Sequence, residues 1–372
     1  LMGLTEAHSA GHSFSHGLDE QHLLGTHPTA AVARRRFVEV YRALDDTVAT
    51  IAAAQAPETV LAVSSSKGMQ PNRDDVASAL LLPELLHRLA FGRPLLHEPR
   101  QRAWKRSGHR PLWPDPDRNS PSARTRQLVA QGRLPRLKRR FHTSAPPGLV
   151  RAVQVTRGRL GRAGPGGAAG AGKPRPSGLL TRTPDGEVPV LAGEITWSPA
   201  SWYRHLWPAM PWFALPSFSD GHVRLNLAGR ERDGVVAPDA YDRTCDEIEE
   251  RLRLATEPRT GEPLVDEVVR LRADDPLAPD GPGADLVVTW RLPADALMHP
   301  DAGIVGPFAF PRSGSHTEDG FLLVTGSSIP RVRLEEHPAL DVPATLLALL
   351  GWPLPGDLGG SPVEEVVASV VD

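Results

Sequence analysis

Between Arg118 and Arg182 the chain carries no Asp or Glu, while arginine and lysine recur throughout and crowd together at Arg136-Leu-Lys-Arg-Arg140. The later part of this tract, Gly161 to Pro176, is mostly Gly, Ala, Pro and Arg. Such a composition buries too little apolar surface to offset the entropy of ordering a backbone. Residues 91–195 are therefore expected to form a basic, partly disordered insertion, and the folded part must be assembled from two separated regions, 1–90 and 196–372. A nucleic-acid or anionic-membrane role for the arginines is the competing reading. Only Phe141 is embedded in the densest cluster, so the aromatic interleaving of a single-strand binder is missing and an insertion is favoured.

On either side of the tract the hydrophobic pattern alternates between helical and strand-like. Val32, Phe37, Val40, Tyr41, Leu44, Val48 and Ile51 recur at helical spacing after Pro28. Thr59-Val-Leu-Ala-Val63 reads as a short, fully buried strand of the parallel type, ending in the turn Ser64-Ser-Ser-Lys-Gly-Met69. A helix over 75–89 follows, with Pro83 expected to kink it. Beyond the insertion, Trp197, Trp202, Tyr203, Trp207 and Trp212 form an aromatic cluster. His222 to Ala228 alternates as a half-buried strand, and Asp239 stands where it can cap a helix running to about Thr256. Leu286 to Trp290 and Phe321 to Thr325 read as strands, and Asp341 to Gly351 as a short helix with Asp341 as its N-cap. Strands alternating with helices predict an α/β fold, with helices flanking a largely parallel central sheet.

The net charge of −2 gives no global preference for polyanions. The single cysteine, Cys245, excludes an internal disulfide and a thiolate zinc cluster, so any metal must rest on histidine and carboxylate. The same lone cysteine points to a reducing compartment, and a cytoplasmic location is expected; no apolar run approaches the ~20 residues that span a bilayer and no leader pattern opens the chain. Near the start, His8, His12 and His16 are spaced four apart. On a helix this spacing brings them to one face, and neutral imidazole is the commonest zinc ligand. Distant partners are needed to complete such a site.

Glu6-Ala-His-Ser-Ala-Gly-His12, Val63-Ser-Ser-Ser-Lys-Gly-Met69, Ser313-Gly-Ser-His-Thr-Glu-Asp-Gly-Phe321 and Asp341-Val-Pro-Ala-Thr-Leu-Leu-Ala-Leu-Leu-Gly351 jointly resemble the alkaline phosphatase superfamily, in its branch of nucleotide pyrophosphatase/phosphodiesterases and sulfatase-like hydrolases. The resemblance covers roughly 1–90 and 195–365. It implies an alkaline phosphatase-like fold and one zinc ion held by His8, His12 and His316, with His16 outside the set. The family's second metal needs an Asp-His pair where this chain has Ser66 and Lys67, so that site is expected to be lost and Lys67 to supply positive charge in its place. The family's nucleophile lies well before the first motif, so the chain reads as incomplete at its N-terminus. Ser219 to Glu231 is similar to a strand and turn of phosphodiesterase-like members, which makes Arg224, and with it Arg230, a candidate for holding an anionic substrate. The competing reading for Arg230 is surface pairing with Glu231 or Asp233. Trp202, Trp207 and Trp212 are candidates for an apolar wall against a leaving group.

Two functions are in play. One is a mononuclear zinc hydrolase of phosphate esters (phosphodiesters or nucleotides) or sulfate esters, with Lys67 and Arg224 stabilising developing charge. The other is a catalytically degenerate, metal-stabilised scaffold whose basic insertion binds an anionic partner.

Overall fold

In a computed structural model, residues 2–20, 22–96, 101–112, 179–183, 186–190, 199–217, 219–271, 275–278, 281, 283–310 and 312–368 are described. Most of the basic insertion, including the Arg136 cluster and the glycine-rich run, lies outside them. The chain divides into two compact units, Leu1–Asn72 with Arg312–Asp372, and Arg73–Pro311.

The first unit begins with α1 (Glu6–Phe14) and α2 (Ala30–Ala53), which pack on each other. The helical periodicity read from Val32 to Ile51 is thus a real helix. Strands β1 (Leu61–Ser65) and β2 (Met69–Pro71) follow, joined by the Ser66-Lys67-Gly68 turn.

The second unit opens on a π turn, Ala77–Leu81, that leads into α3 (Leu82–Phe91). Pro83 is the cause: it has no N–H to offer the preceding turn, so the helix widens just before it and resumes as α-helix with the proline in its first turn. Gly92 ends α3 with φ of 64°, a left-handed cap that suits glycine. A short α4 (Gln101–Arg106) and a hairpin of β3 (Leu179–Thr183) and β4 (Gly186–Val190) come next. β5 (Trp212–Leu215), β6 (Gly221–Leu225), α5 (Tyr241–Arg253), β7 (Val265–Arg270) and β8 (Leu286–Trp290) build the main core. The four strands form an antiparallel sheet in the order β5-β6-β8-β7. Alternation in β6 and β8 sends Val223, Leu225, Leu286, Val288 and Trp290 inward, where Ile248 and Leu252 of α5 are also buried. A buried Asp285 ties the sheet together. It accepts both arms of the Arg230 guanidinium at 2.7 and 2.6 Å, the Tyr241 hydroxyl at 3.0 Å and the Leu225 N–H at 2.7 Å. The unit also holds the small antiparallel pair β9 (Leu297–His299) and β10 (Gly303–Val305).

The chain then returns to the first unit through β11 (Gly314–His316), β12 (Phe321–Thr325), α6 (Asp341–Leu349) and α7 (Glu364–Val367). β1 pairs with β12 and β2 with β11, both antiparallel.

This arrangement overturns the expected fold class. Every sheet among the described residues is small and its named strands pair antiparallel, so there is no largely parallel central sheet flanked by helices and no alkaline phosphatase-like fold. The misreading starts at Thr59–Val63. A short apolar run is compatible with either strand direction, and direction depends on which distant segment returns beside it. Here β12 returns antiparallel, and as a two-stranded ribbon the pair leaves Phe321 57% and Leu323 56% exposed instead of buried on both faces. Two helix caps also differ from expectation. α5 is entered through a 3₁₀ turn, Pro238–Ala240, and Asp239 makes no capping bond. Asp341 lies inside α6, where its carboxylate accepts the Ser361 N–H at 2.8 Å and faces His337 at 3.3 Å, joining the helix to the chain beyond it.

Candidate metal centre

α1 carries His8 and His12 one turn apart, and the β2–β11 ribbon carries His316. Register places His316 opposite Met69, so the turn bearing Lys67 runs next to His316. Two glycines let helix and ribbon meet. A Cβ on Gly314 would sit 2.3 Å from the Gly11 carbonyl oxygen, and a Cβ on Gly11 would sit 2.7 Å from Cγ of Met69. At Gly314 the obstruction is backbone, so only a residue without a side chain allows this approach. Its result is a hydrogen bond from His12 Nδ1 to the Gly314 carbonyl at 2.7 Å, backed by the Ser313 N–H donating to the His12 carbonyl at 2.8 Å.

The three rings face one another, with centroids 4.5 Å (His8 to His12), 5.0 Å (His8 to His316) and 4.8 Å (His12 to His316) apart. One ligand atom from each lies within 4.8 Å of the others, and the group can hold a metal ion. Tetrahedral zinc with ~2.0–2.1 Å bonds sets its nitrogens ~3.3 Å apart, so closing on an ion requires the rings to draw together from separations of up to 4.8 Å. The donor set fits in chemistry as well. Donation from Nδ1 to Gly314 fixes the tautomer of His12 and leaves Nε2 as its one nitrogen with a lone pair for a metal. Burial lowers the pKa of His12, helped by the charges of Arg312, His8 and His316. Burial likewise lowers that of His316, followed by His8, Arg312 and Lys67. Both rings are therefore neutral, and able to ligate, at neutral pH.

No family model, curated protein or solved structure matches this chain.

The other predicted residues are distributed as follows. His16 is turned away to the Thr29 hydroxyl, 3.1 Å from Nε2, and its pKa falls to about 4 through burial and then the neighbouring His22 and His27. Lys67 is exposed, and Ser65 Oγ donates to its carbonyl at 2.7 Å, shaping the turn. Arg224 belongs to the second unit. Its Nε pairs with Glu231 at 2.6 Å and its NH1 donates to the Gly283 carbonyl, so its guanidinium serves the β6 region. Arg230 pairs with Glu231, one partner of the competing reading, but as a buried side chain (6% exposed) instead of a surface one, and it pairs further with Asp285. In the same unit Trp212 is buried and Trp207 stacks on Phe213 with centroids 4.3 Å apart, so these indoles pack its core edge.

Two residues near the three-histidine group escaped the sequence reading. Arg312 donates from NH1 to His12 Nε2 at 2.9 Å. His22 donates from Nε2 to the Ser313 carbonyl at 2.9 Å while its Nδ1 accepts the Leu24 N–H at 2.9 Å, which clamps the segment leading to β11. The signal for Arg312 was its place four residues before His316. Nothing in the spacing of His22 marks it, because its partner is a backbone carbonyl 291 residues away.

No helix among the described residues is long and apolar enough to cross a membrane.

Proposed function

We propose that this chain is a zinc-dependent hydrolase of an anionic ester, a phosphate (phosphodiester or nucleotide) or a sulfate, with one zinc site formed by His8, His12 and His316. The supporting observation is the convergence of three imidazoles from segments some three hundred residues apart, one of them oriented through its far nitrogen by the Gly314 carbonyl. Three neutral ligands leave a divalent ion with its full charge and an open position, the pattern of catalytic rather than structural zinc. Zinc bound there would supply a Lewis acid and a water acidified toward neutral pH. The chain's own residues then select the substrate. Among the described residues no carboxylate joins the His group, while Arg312 and Lys67 both act on His316 as positive neighbours. A site of that charge attracts an oxyanion and holds it by charge-assisted hydrogen bonds. Lys67, exposed on its turn, is the group that stabilises charge developing on the ester oxygens. Arg224, occupied with Glu231, is not part of this reading. Nor is the fold: the proposal rests on the local cluster alone.

Elemental analysis after zinc loading is expected to find about one ion per chain. Hydrolysis of p-nitrophenyl phosphate, a bis-phosphodiester or a sulfate ester is expected to require it. His316→Ala should lose both metal and activity, and Lys67→Ala should lose activity with the metal retained. A fully zinc-loaded chain inactive on all three ester classes would refute the hydrolase reading.

A further inference from the structure

Arg312 occupies the atom that zinc would need. Its guanidinium donates to Nε2 of His12 at 2.9 Å, and Nε2 is the only ring nitrogen of His12 left for a metal, since Nδ1 is committed to Gly314. A lone pair filled by a donor cannot ligate at the same time. The backbone around Arg312 is fixed independently. Its carbonyl accepts the Asn72 side-chain amide at 3.0 Å, the Ser313 carbonyl accepts His22, and the Ser313 N–H bonds the His12 carbonyl. For the three imidazoles to close on an ion, the arginine side chain has to leave Nε2, and the ring nitrogens have to draw in from separations of up to 4.8 Å.

We infer that Arg312 is a two-position residue: it caps His12 Nε2 when the metal is absent and, displaced by the metal, turns its guanidinium to hold the oxyanion of the ligand. This rests on the zinc reading above and adds to it a specificity-determining residue and its coupling to the metal. The physical argument is electrostatic and geometric. A guanidinium cannot be deprotonated to escape a nearby cation, so beside a divalent ion it is repelled unless an anion lies between them. From a backbone that does not move, its fork remains within side-chain reach of the open coordination position. There the planar pair of N–H donors matches two oxygens of a tetrahedral oxyanion. Arg312 makes other interactions as well; the inference requires only that its contact with His12 be exchanged. Zinc and oxyanion are then positively coupled, each favouring the arginine position that the other needs.

The two positions give opposite signs for one substitution. The full chain, stripped with a chelator, is titrated with zinc in competition with a chromophoric chelator, as wild type, as Arg312→Gln and as Arg312→Lys. Sulfate and inorganic phosphate are then titrated into the zinc-loaded proteins by calorimetry. Arg312→Gln is expected to bind zinc several-fold more tightly, because the competing donor and its charge are gone. It should bind the oxyanion about tenfold or more weakly, the scale of a charge-assisted hydrogen bond. Arg312→Lys keeps the charge without the fork and should fall between. In the wild type alone, sulfate should raise the zinc affinity, a readout that stands even if a variant fails to fold. A phosphate preference would point to phosphate esters as substrates and a sulfate preference to sulfate esters. Weaker zinc binding by Arg312→Gln, or zinc affinity in the wild type indifferent to sulfate, overturns the proposal while leaving the zinc site standing. A wild-type chain that takes up no zinc overturns the hydrolase reading with it.

Discussion

Gly314→Ala tests whether the metal centre depends on the close approach of α1 and β11. The added Cβ would lie 2.3 Å from the Gly11 carbonyl oxygen and 2.5 Å from Ser15 Oγ. Non-bonded carbon and oxygen do not approach closer than ~3.3 Å, so helix and strand must separate by about 1 Å. The obstructing oxygen is backbone and cannot rotate aside. A separation of that size stretches the His12 Nδ1 bond to Gly314 beyond hydrogen-bonding range and carries His316 away from His8 and His12. Metal sites tolerate ~0.2 Å in their ligand distances, and loss of an orienting partner alone costs 10–100-fold in affinity. Zinc affinity is therefore expected to fall by about 100-fold or more, with about 1–3 kcal/mol lost from stability as for other overpacked sites. Chelator competition measures the first and thermal unfolding by circular dichroism the second. Gly360→Ala is the control: its Cβ would meet the Leu340 carbonyl oxygen at 2.1 Å in the same unit, away from the imidazoles. It should destabilise comparably and leave zinc affinity unchanged. Gly11→Ala meets only the flexible end of Met69 and should be milder. A Gly314→Ala chain with wild-type zinc affinity would refute the reasoning.

Other outcomes follow from the same geometry. His12→Ala should abolish zinc binding while His16→Ala retains it, because His16 faces Thr29; equal loss in both, by elemental analysis, would show the ligand set to be wrong. Asp285→Ala leaves Arg230, the Tyr241 hydroxyl and the Leu225 N–H without their buried acceptor, and should cost about 3–5 kcal/mol in denaturant unfolding. His87 is 2% exposed, and its pKa falls from 6.5 to about 4 through burial and then the charges of Arg93 and Arg88. The folded state thus holds it neutral while the unfolded chain protonates it more readily. Its contribution, at most about 3 kcal/mol, is present above pH 6.5 and is lost as the pH falls toward 4. His87→Gln should flatten the stability profile across that window, and an unchanged acid limb would contradict the assignment.

Elements set by local chemistry were legible in the sequence. The α2 periodicity, the alternation of β6, the disturbance at Pro83 and the end of α6 at Gly351 follow from rules that act within a turn or two of chain, and they appear where the residues placed them. His8 and His12 were legible for the same reason, since a spacing of four defines a helix face whatever the fold. His316 was reached only through resemblance to a family whose fold this chain does not have. What the residues could not state was partnership. Strand direction depends on which remote segment returns alongside: β12 beside β1, and β11 beside β2, both antiparallel. That choice turned an expected parallel sheet into small ribbons, yet it brought His316 to α1 by closing a loop of some three hundred residues. Arg312, Gly314 and the His22 clamp act at the three-histidine group through one side-chain contact and two backbone carbonyls, and a backbone carbonyl has the same chemistry at every position in the sequence. Tertiary structure alone decides which of them meets an imidazole.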